Sequence, residues 1–397
     1  MMKSVKILKN LKNKRALVRV DFNFTLRNGL PLDSFRLKAS LPTLKLLAQK
    51  KAKVILISHL GKPEKERGKK KLSFKNLISW LARQDKILKS LQFIENPFSE
   101  RAVSQIHQAK SGSFFLLENI RFWPEEKQNN FAFSKKLSKL GDIYVNEAFS
   151  VCHRKHSSIV GLPKFLPSYA GIRLQEEITT LRNVLEKPKH PFVLISGGAK
   201  ISTKIELLKG FKRIADFIFI GGGIANTFLF NKGINVGSSF KEEINLDSSL
   251  LKQKNIIIPF DVVILQRGKV KNIKVKDVNS LKGDFKILDI GKESVYFIVE
   301  AIKKAKMIVW NGPLGYFEKK PFDKGTKKII QALLQSKSKV ILGGGETIVC
   351  FNQVRNNLVK NLVKANPNIF ISTGGGAMLE FLSGKRLCGV KALENPR

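Results

Sequence analysis

The sequence predicts an α/β protein built from two parallel-sheet domains that face a shared central cleft. Three observations carry this expectation. Short apolar runs alternate with amphipathic helical stretches, the mark of βαβ units rather than of a sandwich. Runs in the first half end on charged or hydrogen-bonding residues, whereas those in the second half end on glycine clusters, so ligands of two kinds are implied. At 397 residues the chain exceeds what one core usually holds, which makes two domains the natural prior.

In chain order, RALVRV runs into Asp21-Phe22-Asn23, KVILI into Ser58-His59-Leu60-Gly61-Lys62, FFLL into Glu118-Asn119-Ile120-Arg121, and IYV into Asn146-Glu147. Ligands of open parallel sheets bind beyond the carboxyl ends of the strands, so these residues are expected to form a polar crevice. Leu37, Leu41, Leu44 and Leu47 fall at helical spacing after a cap at Asp33 or Ser34, and that helix should pack on the sheet. Residues 170–186, AGIRLQEEITTLRNVLE, read as a helix that stops at Lys187-Pro188 and connects the domains.

In the second half FVLI is followed by Ser196-Gly197-Gly198-Ala199-Lys200, FIFI by Gly221-Gly222-Gly223, VIL by Gly343-Gly344-Gly345, and IFI by Ser372-Thr373-Gly374-Gly375-Gly376. Glycine turns let backbone N–H groups approach phosphate closely. Residues 262–288, alternating Val, Ile and Lys, read as a hairpin region without ligand-type residues and are assigned no chemistry.

Composition excludes several classes. The longest apolar stretches, such as 217–230, are broken by glycines and Asn226 short of the roughly 18 residues a membrane span needs. Arg19 interrupts the first apolar run, so no secretory signal is read, and the expected location is cytoplasmic. Cys152, Cys350 and Cys388 give no disulfide framework. The net charge of +41 would ordinarily suggest a polyanion partner. The lysines are scattered, however, and accompany abundant Ile, Phe and Asn, as an AT-rich genome also produces. Neither a specific nucleic acid nor a membrane is expected as partner; weak RNA adhesion stays open.

Arg36, Arg121 and Arg154, with His59, Lys62 and His153, would converge on the first crevice as a site for a small, highly anionic substrate. A guanidinium suits phosphate and carboxylate because its fixed donor fork engages two oxygens at once. Solvated surface charges are the alternative for any one arginine, but several at strand ends favour a site. Lys200 and Lys204 stand four apart after a glycine turn, so in a helix both ammonium groups would reach one polyphosphate. Glu346 would hold Mg²⁺ on a nucleotide, or else Glu346 and Thr347 would cap the following helix. No G-x-x-x-x-G-K-[ST] and no complete G-x-G-x-x-G occurs, which disfavours a nicotinamide cofactor. Cys152-His153 with His156 lacks a second ligand pair for zinc, and no serine or cysteine nucleophile stands beside a base.

RVDFN, LPTLKLL, KVILISHLGKP, LLENIRF, DIYVNEAF, HRKHSS, SGGAKISTKIELL, IGGGIANTFL, IVWNGPLGYFE, FDKGT, LGGGET and STGGGAMLEFLSG together resemble the phosphoglycerate kinase family, in order and over nearly the whole chain. The resemblance implies two Rossmann-like domains joined by a hinge helix. It also implies transfer of a phosphoryl group between 1,3-bisphosphoglycerate and ADP, giving 3-phosphoglycerate and ATP with Mg²⁺, by a monomer. It divides the chain into a substrate domain at 1–170, a connector at 171–187, a nucleotide domain at 188–382 and a segment at 383–397 that returns to the first domain.

Carried over by position, Asp21, Asn23, Arg36, His59, Leu60, Gly61, Lys62, Arg121 and Arg154 would bind the glycerate substrate. Gly198, Ala199, Lys204, Gly222, Asn311, Glu318, Gly344, Gly345, Glu346 and Thr347 would bind nucleotide, with Glu346 on the metal. Arg36, Lys200 and the amides of Gly374, Gly375 and Gly376 would surround the transferring group. Several positions depart from the family pattern: Lys62 for arginine, Glu346 and Glu147 for aspartate, Thr25 for proline, Ser150 for glycine and Cys152 for alanine. Two other readings are weighed against this one. A dehydrogenase would need the complete dinucleotide fingerprint, and an RNA-binding protein would show salt-sensitive binding without need of the glycine turns.

Overall fold

The computed structural model describes residues 2–65, 69–359 and 366–394. Of the expected segments, residues 1 and 66–68 of the first domain, 360–365 of the second and 395–397 of the returning tail lie outside the described residues. The chain divides into two compact units, Met1–Thr180 with Arg386–Arg397, and Leu181–Lys385.

The N-terminal unit is organised by six parallel strands: β1 (Arg15–Arg19), β2 (Lys53–Ile57), β3 (Gln92–Ile94), β4 (Phe114–Leu117), β5 (Ile143–Asn146) and β6 (Ser168–Ala170). Their order across the sheet is β3-β4-β2-β1-β5-β6. Almost every residue of β1, β2, β4 and β5 is buried, as a parallel sheet covered on both faces requires. Helix α1 (Phe35–Gln49) lays Leu37, Leu44 and Leu47 on Val18, Val54 and Leu56. Asp33, not Ser34, supplies its side-chain cap by accepting from Phe35 N–H. The direction of chain progress reverses at β1, with β2 on one side and β5 on the other, so the loops after these strands open on one crevice.

Helix α2 (Ile172–Glu186) carries the boundary between the units at Thr180/Leu181. It starts later than the sequence pattern suggests because Ala170 closes β6 and Gly171 N–H bonds Asn146 O.

The C-terminal unit repeats the plan with β7 (Phe192–Ser196), β8 (Phe217–Ile220), β9 (Ile256–Ile257), β13 (Met307–Asn311), β14 (Lys339–Gly343) and β15 (Ile369–Ile371). These six parallel strands are ordered β9-β8-β7-β13-β14-β15, with the reversal at β7 and β13. Between β9 and β13 in sequence, an antiparallel sheet of β10 (Asp261–Gln266), β11 (Lys269–Lys274) and β12 (Lys286–Ile290) is inserted. Arg267 and Gly268, both at positive φ, make the tight turn of its hairpin. Helices α3 (Ile205–Phe211), α4 (Gly222–Asn231), α5 (Lys292–Lys304), α6 (Lys324–Gln335), α7 (Gly345–Val359) and α8 (Gly375–Leu382) accompany the strands. The core joins Ile298 and Ile302 of α5 and Ile329 and Leu333 of α6 to Val193, Ile308 and Val340 of the sheet.

Candidate active site

In the N-terminal unit the strand ends build a cationic centre around His59. Asn23 Oδ1 accepts from Gly61 N–H at 2.8 Å, and Asn119 bonds both the N–H and the carbonyl of Leu60, so the 58–62 loop is pinned from two sides. Gly61 has φ +62, a conformation that favours glycine. His59 is buried, and its Nδ1 lies 3.0 Å from Arg19 Nη2. A guanidinium only donates, so Nδ1 accepts and the ring proton sits on Nε2. Burial holds the His59 pKa well below its ordinary value, and Arg19, Arg121, Arg36 and Arg154 push it further down.

The carboxylates near these four guanidiniums are few: the buried Glu126 acts on Arg19 and Arg121, while Glu64 and Glu177 are paired with Lys127 and Arg173. Arg36 pairs with Asp21, which also accepts from Ser150 Oγ and Asn23 N–H. Burial lowers Arg36 to about 10, and burial followed by repulsion from Arg19 and Arg154 does the same to Arg121. Arg121 donates Nη1 to Gly61 O at 2.8 Å, while its buried Nε and Nη2 have no hydrogen-bond partner. Arg154 donates Nε to His153 Nε2 at 3.2 Å. Lys62 is exposed. Unpartnered buried donors are costly, and a cluster of like charges is stabilised by an anion, so this arrangement is suited to carboxylate or phosphate.

Three expected members of the polar crevice serve other ends. Glu118 accepts from Ser73 Oγ and Phe74 N–H, and Asn146 Oδ1 accepts from Ala148 N–H. Glu147 accepts from Thr43 Oγ1 and from Arg173 N–H at the start of α2. Each satisfies buried backbone that would otherwise lack a partner. Burial raises Glu147 to about 8, against the opposing pull of those hydrogen bonds.

Sequence reasoning missed Arg19, which is fully buried and donates Nε to Ser158 Oγ and Nη1 to Val20 O. A charged residue inside an otherwise apolar strand was the available signal. Ser150, named from sequence only as a departure from the family pattern, donates its hydroxyl to the Asp21 carboxylate.

His156 gives a pH test. Burial, with Arg121, Arg19 and Arg154 nearby, lowers it from 6.5 to about 3. The unfolded chain therefore takes up this proton first, so the stability it contributes is present above pH 6.5 and is lost as pH falls toward about 3. In His156→Gln the drop in urea midpoint between about pH 7 and about pH 5 should be smaller than in the parent; parallel profiles would contradict the shift.

In the C-terminal unit the glycine turns enclose a cavity of about 490 Å³. Gly198, Ala199, Gly222, Glu318 and Glu346 line it. Gly197 and Gly312 meet so closely at the sheet's reversal point that a Cβ on either would overlap the backbone of the opposite turn. Gly344, at φ +96, lies against Gly375, where an added Cβ would sit 3.5 Å from Gly344 Cα.

Several expectations are corrected here. Lys204 does not share a face with Lys200, because Ile201–Thr203 forms a 3₁₀ turn and α3 begins only at Ile205. Lys200 is exposed, whereas Lys204 is buried and donates Nζ to Gly197 O, Asn311 O and Asn311 Oδ1. Lys204 and Asn311 thus sit beneath the turn rather than on the cavity wall. Burial lowers Lys204 to about 7, with Glu346 pulling the other way. Thr347 does not cap α7; its Oγ1 accepts from Gly312 N–H at 2.7 Å. The 262–288 region, assigned no chemistry, supplies Val262, Lys286, Ile287 and Leu288 to the cavity wall. Phe240 and Tyr316 were also missed, since ring residues lining a pocket have no spacing of their own, and so was the buried Asp289 of β12.

Among the described residues no group of three or more His, Cys, Asp or Glu side chains could hold a metal. A Mg²⁺ that arrives with phosphate and water oxygens needs only one or two carboxylates, and the exposed Glu346 on the cavity wall fits that role.

The phosphoglycerate kinase family model matches residues 5–385. The chain belongs to the phosphoglycerate kinase family. It is 39% identical to the phosphoglycerate kinase of Borrelia garinii subsp. bavariensis over 99% of both chains, and 40% identical to that of Dictyoglomus turgidum over 97% of both. The crystal structure of phosphoglycerate kinase from Pyrococcus horikoshii OT3 superposes with TM-score 0.83 at 30% identity, covering 99% of this chain and 98% of that one. The Coxiella burnetii phosphoglycerate kinase gives 0.80 at 31%, covering 99% of both. As a phosphoglycerate kinase family member the chain is a phosphotransferase with a carboxyl group as acceptor, and its fold is the family's two-domain α/β fold.

Proposed function

We propose that the chain exchanges a phosphoryl group between 1,3-bisphosphoglycerate and ADP, with the His59 centre seating the glycerate and the C-terminal cavity seating the nucleotide. The observation that carries this reading is the convergence of four guanidiniums on His59, with two buried Arg121 donors unpartnered. Arg121, Arg154 and the His59 Nε2–H hold the anionic substrate, Asp21 and Asn23 fix Arg36 and the 58–62 loop, and Leu60, Gly61 and Lys62 complete the rim. Gly198, Ala199, Gly222 and Glu318 border the nucleotide, while Lys204, Asn311, Gly344, Gly345 and Thr347 hold the turns around it in shape.

The acceptor carboxylate is already ionised near neutral pH, so the reaction needs no strong base. The chain's contribution is position and charge. Arg36 from one unit, with Lys200 and the amides of Gly374, Gly375 and Gly376 from the other, neutralises the charge that develops on the transferring group. Glu346, together with oxygens of the nucleotide, would hold a magnesium ion, which when bound would supply positive charge near the phosphates. Two seats in separate units require domain closure, which also excludes water and limits ATP hydrolysis. We place the protein in the cytoplasm as a monomer; no described helix is long and apolar enough to cross a membrane.

A coupled assay with 3-phosphoglycerate, ATP and Mg²⁺ should show turnover, and its absence in folded protein would reject the proposal. Glu346 carries one more methylene than aspartate, which rigid octahedral coordination must absorb. Glu346→Asp should therefore shift the Mg²⁺ concentration for half-maximal rate. Superimposable metal titrations would remove Glu346 from the metal site.

A further inference from the structure

The C-terminal unit holds a second cavity, of about 630 Å³, that the transfer reaction does not use. Its walls are apolar. Val263 of β10 and Val270 of β11 form one side, and Val295, Tyr296 and Val299 of α5 the other, at spacings that put them on one helix face. Pro321 and the start of α6 close the end. The volume lies within the roughly 300–1,000 Å³ typical of small-molecule sites.

The rim is cationic and unneutralised. Lys271, Lys292, Lys324 and Lys328 line the cavity, all exposed, and none of them forms an ion pair among the described residues. The acids next to them in sequence are engaged elsewhere, Glu293 with Lys274 and Asp323 with Lys327. Asp289 is the single carboxylate in the lining; it is buried and accepts from the N–H groups of Ile290 and Gly325.

We propose that this cavity binds a small amphiphilic acid, its apolar body against Val270, Val295 and Val299 and its carboxylate at the lysine rim. The site is a neighbour of the nucleotide cavity. Asp289 and Ile290 line both, and Asp289 packs so tightly on Gly315 of the nucleotide side that a Cβ there would overlap its carboxylate. An occupant therefore presses on a side chain shared with the nucleotide wall, without entering it.

The test is calorimetric titration of the full chain with octanoate, 1-octanol and octyltrimethylammonium. Octanoate is expected to fill one site, to remain bound at saturating ADP, and to bind at least about tenfold more tightly than 1-octanol, with no binding of the cation. The double variant Lys292→Gln/Lys324→Gln should weaken octanoate by about tenfold with turnover unchanged. Val295→Trp, which fills the cavity, should abolish binding without lowering the melting temperature; if it does not fold, the lysine variant decides. Equal affinity for octanoate and 1-octanol, unchanged affinity in the lysine variant, displacement by ADP, or many equivalent sites spread over the basic surface would each overturn the proposal.

Discussion

Arg36→Ala is expected to lower turnover by about 100- to 1,000-fold while leaving the KM for ATP nearly unchanged, by analogy with loss of one preorganised charge donor. The expectation follows from where Arg36 sits. Its guanidinium is held by Asp21, a carboxylate that Ser150 and Asn23 also fix, so the charge is positioned before any substrate arrives. Truncation removes the donor and leaves the Asp21 carboxylate with Ser150 Oγ and Asn23 N–H but without its cationic partner. The cavity proposed to seat ATP is lined entirely by residues of the other unit, which is why nucleotide affinity should not follow. Parallel losses in turnover and ATP affinity would show that Arg36 acts through the fold instead. A near-normal rate would remove it from the reaction.

Gly312→Ala is expected to destabilise the protein by about 3 kcal/mol and to weaken ADP binding, through backbone strain and overpacking together. Gly312 has φ +93, and a Cβ there would overlap the carbonyl of Gly197 and approach Gly198 N to 3.0 Å. No flexible side chain can move aside, because every atom in the way is backbone. The same residue donates its N–H to Thr347 Oγ1, so displacement also disturbs the start of α7 beside Glu346. Urea midpoints read the first effect and ADP titration the second. A midpoint equal to the parent's would mean that the two turns separate freely.

These two residues mark what sequence alone could disclose. Gly197, Gly222 and Gly344 are legible because a tight turn at positive φ or a close backbone approach selects glycine, so residue type reports local geometry directly, whereas Gly312, which stands alone in sequence, shows its role only where it meets Gly197. The strands are legible for a similar reason, since full burial on both faces demands the continuous apolar runs seen in β2, β4 and β7. Side-chain direction is another matter. Lys204, Glu118 and Glu147 all follow strands or glycine turns, yet each turns toward buried backbone groups whose need for a partner arises only when distant segments pack. Arg19 was hidden by its own strand, and the nucleotide wall contributed by β10 and β12 is ordinary aliphatic sequence.

The tight turns at the edge of the proposed nucleotide seat, where Gly197 meets Gly312, are formed by main chain, and main chain is the part of a protein that mutation cannot relabel. Codon bias can carry a sequence to +41 by exchanging one surface residue after another without ever altering an amide that faces phosphate. Such turns present a very small mutational target, confined to additions that occupy space. Substitution should consequently reach the proposed glycerate seat, which is built from side chains such as Arg36, Arg121 and Ser150, well before it reaches the glycine turns.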